Sequence, residues 1–287
     1  MIGPVKGTTI IGGAVLLLCA LSGMAGAARD VEPGSFLKDH FVVAWYGNPR
    51  STRMGILGVR TGADRADGLR KQAAEYATLT SKPVVMAYHL IVTIAQPLPG
   101  KSGGYRRRET PATIQAMLDE ARANGFRLIL DVQAGRSTVA EEVQALEPFL
   151  SQPDVDLALD PEFTMPAGAV PGKQIGTMSA ADVNGALDFL ERTIRAHHLP
   201  PKMLIVHQFT QNMLPDKANI RTSSIVDLVL DMDGFGSQPL KRATWRFAMK
   251  QPLAYTAIKL FYKQDTNVMT PSQVMALTPS VSLVIYQ

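Results

Sequence analysis

Eight nearly continuous apolar runs, each followed by polar or glycine-rich residues, set the pattern of this chain. Runs rich in Val, Ile and Leu that do not alternate with polar residues are typical of parallel strands buried on both faces. We predict strands at 41–47, 84–92, 126–133, 203–209, 226–232, 255–262 and 281–286, and one that begins at 155 and ends in Asp160-Pro161-Glu162.

Helices are predicted between most of these strands. Apolar residues recur at helical spacing over 65–79. Thr110-Pro111 is a typical helix start and Gly125 a typical stop, so a second helix is expected over 111–124. Further helices are predicted at 138–150, 179–198 and 239–249, with a short one after Thr270-Pro271.

This alternation of strands and helices predicts a single closed (β/α)8 barrel of the TIM type, spanning residues 28–287. Most strand starts are about one βα unit apart. The exception is the segment between the strands at 203 and 226, which has the composition of a loop. A doubly wound open sheet is the alternative, but no glycine-rich phosphate loop follows the first strand.

The N-terminus has the pattern of a secretory signal peptide. Lys6 precedes an apolar run over 10–21, and Ala25-Gly26-Ala27 is a small-residue cleavage site, so we predict a signal peptide at 1–27. An uncleaved anchor is the first alternative, although the run is short and contains Gly12-Gly13. The second is a lipoprotein modified at Cys19. The mature protein is therefore expected outside the cytoplasm, secreted or in the periplasm or cell envelope, without a stable membrane span.

Composition narrows the classes of partner. Cys19 is the only cysteine, so the mature chain must be stabilised by its core and not by disulfides. The formal net charge of +4 is a mild excess and does not favour nucleic-acid binding. The basic cluster at 106–108 is expected to be a solvated loop. The oligomeric state stays open.

The candidate chemistry lies where the strands end. Asp160 and Glu162 are spaced i, i+2, which in an extended chain places both carboxylates on one side, and Pro161 should interrupt the ladder there. In a parallel barrel the carboxyl ends of all strands meet at one face. The other ionisable or amide groups expected at that face are Asp131, Gln133, His207, Gln208, Asp231, Asp233 and Lys259.

Each of these residues alone has an ordinary structural interpretation. An acid at a strand end often caps a helix or forms an ion pair, and His207 is equally compatible with a hydrogen-bonded core position. Trp45 and Tyr46 are either core aromatics or side chains that stack on a sugar ring. Together, however, several carboxylates buried close to one another are costly without a functional purpose.

Asp160-Pro161-Glu162 resembles the terminal D-x-E of chitinase-like glycoside hydrolases, and more loosely the fourth-strand glutamate of other barrel glycosidases. The resemblance implies that Glu162 is the general acid and that Asp160 tunes it. The family's two earlier aspartates fall on Val155 and Ala158. Of its sixth-strand motif only Asp231 is kept.

A seventh-strand glutamate nucleophile, as in the large retaining clan, is missing where Lys259 and Phe261 stand. The mature chain also resembles a group of secreted bacterial barrel proteins that share the segments WYGNP, DVQAGRS, ALDPEF, VHQF, DMDGFG and KLFYKQD. That resemblance implies a secreted barrel and no particular activity.

The first functional hypothesis is a carbohydrate-active barrel that hydrolyses glycosidic bonds of an oligosaccharide or polysaccharide without a cofactor or metal. Glu162 is the expected acid, assisted by Asp160, with Asp231 or Asp233 as base or nucleophile and Asp131 as a further candidate. The expected substrate-binding residues are Trp45, Tyr46, His89, Gln133, His207, Gln208, Lys259 and Tyr286.

Two alternatives remain. A metal-dependent hydrolase, for example of phosphodiesters, would use hard oxygen ligands and one imidazole, which suit Mg, Ca or Mn. Its expected ligands are Asp131, Asp160, Glu162, His207 and Asp233, although no H-x-H or H-E-x-x-H spacing is present. The other alternative is a non-catalytic glycan-binding barrel, which the missing seventh-strand glutamate favours.

Overall fold

A computed structural model describes residues 1–4 and 34–287 of the protein. Apart from its first four residues, the predicted signal peptide lies outside the described residues, as does Cys19. None of the helices in the described ranges combines the length and hydropathy that a membrane span requires.

The described chain folds into a closed barrel of eight parallel strands, as predicted. Strand β1 pairs with both β2 and the last strand, β9, which closes the sheet. The short strand β3 is antiparallel and extends the end of β2. The strands are β1 Phe41–Gly47, β2 Val84–Ala95, β3 Arg106–Arg108, β4 Arg127–Val132, β5 Val155–Leu159, β6 Lys202–Gln208, β7 Val226–Met232, β8 Tyr255–Leu260 and β9 Leu283–Tyr286.

Helices connect most of the barrel strands. They are α1 Phe36–Asp39, α2 Ile56–Val59, α3 Gly62–Ala77, α4 Pro111–Ala123, α5 Val139–Gln144, α6 Glu147–Leu150, α7 Ala180–His197, α8 Gln238–Ala248 and α9 Pro271–Met275. The predicted helix at 138–150 is divided into α5 and α6. As predicted, the connection between β6 and β7 is a loop, with 3-10 turns Gln211–Met213 and Lys217–Asn219.

Alternate residues of each strand face the barrel interior and the surrounding helices. In β6, Met203 and Ile205 pack with other interior residues, whereas Leu204 and Val206 pack with the helical layer. Helix α1 covers the N-terminal end of the barrel, since Leu37 packs into the interior cluster. The Leu37 amide donates a hydrogen bond of 2.7 Å to Asp227 Oδ2. A cleft opens at the opposite end of the barrel, where the strands terminate.

The basic cluster at 106–108 is not the solvated loop that its composition predicted. These residues form β3, and two of the arginines pair with acids of helix α5. Arg106 Nε donates to Glu142 Oε1 at 2.5 Å and Arg108 Nε to Glu142 Oε2 at 2.7 Å. Because Glu142 is fully buried, these two cations are required to compensate its charge.

Candidate active site

A cavity of about 620 Å³ opens at the carboxyl ends of the barrel strands. The segments that follow all eight barrel strands contribute to it, so that polar groups from separate parts of the sequence face one space. Its polar lining includes Gln96, Gln133, Asp160, Glu162, Asp233, Lys259, Gln264 and Gln287. This is the face on which a TIM-type barrel carries its functional residues.

The segment Asp160-Pro161-Glu162 reaches the cavity by a tight turn and not as an extended strand. Strand β5 ends at Leu159, and Pro161–Phe163 forms a 3-10 turn that Asp160 caps. Asp160 Oδ1 accepts a hydrogen bond of 3.2 Å from the Glu162 amide. The extended i, i+2 arrangement expected from the sequence is therefore absent from this segment, yet both carboxyl groups line the same cavity.

Gly176 supports this turn from the loop that follows. Its amide donates to the Glu162 carbonyl oxygen at 2.6 Å. A Cβ atom on Gly176 would lie 2.4–2.7 Å from the carbonyl oxygens of Thr164, Pro161 and Glu162. Only glycine permits this approach, so the loop holds the backbone of Glu162 in place.

Glu162 is the least constrained acid of the cavity. Its carboxyl group forms no hydrogen bond or ion pair within residues 34–287. Burial, and then the charge of Asp233, raise the pKa of Glu162 from 4.5 to about 6. It therefore keeps a proton into the weakly acidic range, as a general acid must.

Asp160 is more deeply placed and more strongly held. Gln133 Nε2 lies 3.4 Å from Asp160 Oδ2, and the Gln133 side chain is itself fixed by a hydrogen bond from the Ala95 amide. Burial raises the pKa of Asp160 well above its ordinary range. Asp160 therefore orients the Glu162 turn while adding little negative charge to the cavity.

Asp233 and Lys259 form an ion pair at the floor of the cavity. Lys259 Nζ lies 3.3 Å from Asp233 Oδ1, and it also stands 3.5 Å from the centre of the Tyr46 ring. Burial raises the pKa of Asp233, although Lys259 and His207 act in the opposite direction. For Lys259, burial opposes the charged form, but Asp233 and neighbouring acids outweigh it and raise its pKa.

Beneath this floor lies a fully buried polar layer. His207 Nδ1 lies 2.7 Å from Asp231 Oδ2, and its Nε2 lies 3.7 Å from Asp131 Oδ1, too far for a hydrogen bond. The Tyr46 hydroxyl donates to Asp131 Oδ2 at 2.6 Å. His89 stacks on His207 with ring centres 5.5 Å apart.

The pKa values of the buried layer depend on two effects, burial and the charge of neighbouring side chains, which act in opposite directions. Burial works to lower the pKa of His207, but Asp131 and Asp231 outweigh it and raise the value well above the ordinary range. His89 lacks such a partner, and burial lowers its pKa well below the ordinary range. Burial tends to raise the pKa of Asp131, but His207 outweighs it and lowers the value. Burial thus favours the neutral form of His89, whereas the two carboxylates favour the charged form of His207 as long as no other cation binds beside them.

The structure brings some predicted site residues to the cavity and not others. Asp160, Glu162, Asp233, Gln133, Lys259 and Tyr46 line it. Asp131, Asp231, His89 and His207 lie in the buried layer below.

Trp45, Gln208 and Tyr286 are absent from the cavity lining. Trp45 and Tyr286 pack in the layer between sheet and helices, where the Tyr286 hydroxyl lies 2.7 Å from that of Tyr76. The Gln208 side chain donates to the Thr210 carbonyl and accepts from Lys217.

Sequence reasoning missed the aromatic wall of the cavity. Phe163, Phe209, Phe235 and Phe261 line it, and Phe235 is 61% exposed at its rim. Phe209 and Phe261 directly follow strands β6 and β8. The position after a barrel strand, together with the adjacent Gly234, was the available signal.

Two groups of side chains in the described ranges have donor atoms close enough together to hold a metal ion. They are His89 with Asp131 and His207, and His207 with Asp231 and Asp233. Neither group includes Asp160 or Glu162, which the metal-dependent alternative expected among the ligands.

No protein-family model and no curated protein matches the sequence. Among solved structures, oxaloacetate acetylhydrolase bound to 3,3-difluorooxalacetate is similar with a TM-score of 0.43 and 15% identity, over 86% of this chain and 75% of that one. A hyperthermophilic endo-β-1,4-glucanase gives a TM-score of 0.35 and 8% identity, over 71% and 77%. A Bacteroides ovatus GH5 xyloglucanase gives 0.35 and 11%, over 78% and 63%. Such distant similarity carries no information on substrate or mechanism, so function must be inferred from the site.

Proposed function

We propose that the protein hydrolyses glycosidic bonds, with Glu162 as general acid and Asp233 as the second carboxylate. The observation that carries this proposal is the state of Glu162. It has a free carboxyl group in an open cavity and a pKa of about 6, raised by burial and by Asp233. Glycoside hydrolysis needs one such protonated acid at the leaving oxygen and a second carboxylate near the anomeric carbon.

Asp233 suits the second role because Lys259 lies beside it. The ion pair at 3.3 Å favours the charged form of Asp233, which either a nucleophile or a base requires. In a retaining reaction Asp233 would attack the anomeric carbon, and in an inverting one it would take a proton from water. Asp160 then acts as a positioning residue for Glu162, through the hydrogen bond from the Glu162 amide.

The cavity walls suit an oligosaccharide or polysaccharide. Amide groups of Gln96, Gln133 and Gln264 offer both donors and acceptors to sugar hydroxyls. Phe235 at the rim and Phe209 provide apolar faces on which a sugar ring packs. On this proposal a cleaved signal peptide delivers the enzyme to the periplasm or cell exterior, where such glycans are met.

A glycan-binding barrel without catalysis is the second candidate. Lys259 favours this candidate for two reasons. It lies on the strand that bears the nucleophile in the retaining clan, and its ammonium group neutralises the charge of Asp233. In that case Glu162 and Asp233 would bind sugar hydroxyls, and no bond would be cleaved.

The proposal is tested by measuring binding and reducing-sugar release across a glycan panel. Wild-type protein, Glu162→Gln and the surface control Glu147→Gln are compared, each with and without EDTA. We expect the wild type and Glu147→Gln to release reducing ends in EDTA, and Glu162→Gln to lose that release. Binding without release by any variant would establish the second candidate, and full release by Glu162→Gln would refute the assignment of the acid.

A further inference from the structure

Five side-chain atoms of the buried layer have no hydrogen-bond partner within residues 34–287. They are Nδ1 and Nε2 of His89, Nε2 of His207, Oδ1 of Asp131 and Oδ1 of Asp231. All four side chains are fully buried, so water at the protein surface does not reach them. Buried polar groups in folded proteins almost always form hydrogen bonds. Several unpartnered polar atoms in one buried layer therefore indicate that a binding partner is missing.

Three of these residues bring ligand atoms close to one another. One donor atom from each of His89, Asp131 and His207 lies within 4.8 Å of the others. His207 Nε2 and Asp131 Oδ1 are 3.7 Å apart. A zinc ion about 2.1 Å from each ligand would hold such atoms roughly 3.4 Å apart, so binding requires the groups to draw together by up to about 1.4 Å.

In His207 and Asp131, the second nitrogen or oxygen atom of the side chain already forms a hydrogen bond. Asp231 Oδ2 lies 2.7 Å from His207 Nδ1, which fixes the imidazole and leaves Nε2 facing the cluster. The Tyr46 hydroxyl occupies Asp131 Oδ2 and leaves Oδ1 free. A carboxylate behind a ligating histidine and a hydrogen bond behind a ligating carboxylate are the supports that metal sites commonly use.

We propose that His89, Asp131 and His207 bind a divalent transition-metal ion inside the barrel, beneath the floor of the cavity. Two imidazoles and one carboxylate suit Zn²⁺, Co²⁺, Ni²⁺ or Fe²⁺ better than Mg²⁺ or Ca²⁺, which favour all-oxygen sites. The ion would be structural, since its ligands are fully buried and the cavity lining does not include them.

The surrounding charges fit a cation. Asp231 and Asp233 add negative charge next to His207, at 2.7 and 3.6 Å, while Lys259 is the nearby cation and is paired with Asp233. The second donor group, His207 with Asp231 and Asp233, is less suited. Its His207 Nδ1 already shares a hydrogen bond with Asp231, and its Asp233 is paired with Lys259, whereas each residue of the first group has an unpartnered atom and none is paired with a cationic lysine or arginine of the described chain.

The test is metal binding by tag-free protein after dialysis against a chelator. Zn²⁺, Co²⁺ and Mg²⁺ are titrated by calorimetry, and the Co²⁺ complex is followed by its visible absorption. We expect about one Zn²⁺ or Co²⁺ per chain, a four- or five-coordinate Co²⁺ spectrum, and much weaker binding of Mg²⁺. Absence of stoichiometric Zn²⁺ and Co²⁺ binding by the wild type would overturn the proposal.

Variants locate the site. His89→Gln should abolish the stoichiometric binding, whereas His197→Gln, at an exposed position on α7, should leave it unchanged. Asp231→Asn keeps all three ligands and should weaken binding by about 10- to 100-fold. If His89→Gln fails to fold, as judged by circular dichroism, Asp231→Asn decides. Unchanged affinity in a folded His89→Gln, or in Asp231→Asn when His89→Gln does not fold, would contradict the assignment.

This proposal stands apart from the proposed hydrolysis. Glycan cleavage in EDTA and metal binding are measured separately, so each can fail without the other.

Discussion

Lys259 Nζ lies 3.3 Å from Asp233 Oδ1 and 3.5 Å from the centre of the Tyr46 ring. The two contacts hold the ammonium group at the cavity floor, by an ion pair and a cation–π interaction. Because the pair is buried, neither charge is fully compensated by water. Lys259 therefore controls how much negative charge Asp233 presents to a ligand.

Removing Lys259 should shift the pH dependence of hydrolysis. Lys259 lowers the pKa of Asp233 against the effect of burial, so Lys259→Met should raise that pKa. A base or nucleophile must be ionised, so the acidic limb of the kcat/KM profile should move to higher pH. The exposed control Lys250→Met should leave the limb in place, and an unmoved limb in Lys259→Met would exclude Asp233 as the ionised partner.

The raised pKa of Glu162 should lower the free energy of unfolding at neutral pH. Its pKa is raised from 4.5 to about 6, so folding favours the protonated form, and stability falls as pH rises between these two values. Glu162→Gln removes the ionisation. We expect the variant to be more stable than the wild type by roughly 1–2 kcal/mol above about pH 7, with the difference shrinking below about pH 4.5. Urea unfolding at the two pH values measures this, and a pH-independent difference would contradict it.

Phe235 should contribute to substrate binding more than to the chemical step. Its ring is 61% exposed at the cavity rim and contacts Phe261 edge-to-face, with ring centres 5.8 Å apart. Phe235→Ala should raise KM several-fold with little change in kcat, because it removes binding that ground and transition states share. Leu98→Ala, at a 71% exposed position outside the cavity lining, is the control. Equal KM values in both variants would remove Phe235 from the binding surface.

The barrel itself was predictable because its strands are buried on both faces. Such strands are apolar runs in the sequence regardless of which residues face the barrel interior. The predicted bounds of β1, β4 and β6 therefore agree with the structure within a residue or two. Strand β3 was missed because three arginines carry no apolar pattern. Its formation depends on acids of α5 that are distant in sequence.

The site was less predictable because a one-residue change of position reverses the face of a side chain. Tyr46 points into the barrel and its neighbour Trp45 points to the helices, and the sequence does not distinguish them. His207 and Gln208 are divided in the same way. The sequence also does not show how deep in the barrel each of these residues lies. The stagger of the strands places Asp131 below the cavity floor, while Asp233 reaches the cavity.

In the proposed reaction, Glu162 is the acid that protonates the leaving group. The most direct test compares Glu162→Gln with the wild type on a natural glycan and on an aryl glycoside of the same sugar, whose leaving group needs no protonation. We predict a loss of about 10²- to 10⁴-fold in kcat on the glycan and a much smaller loss on the aryl glycoside. Equal losses on both substrates, or none on either, would contradict the role of Glu162.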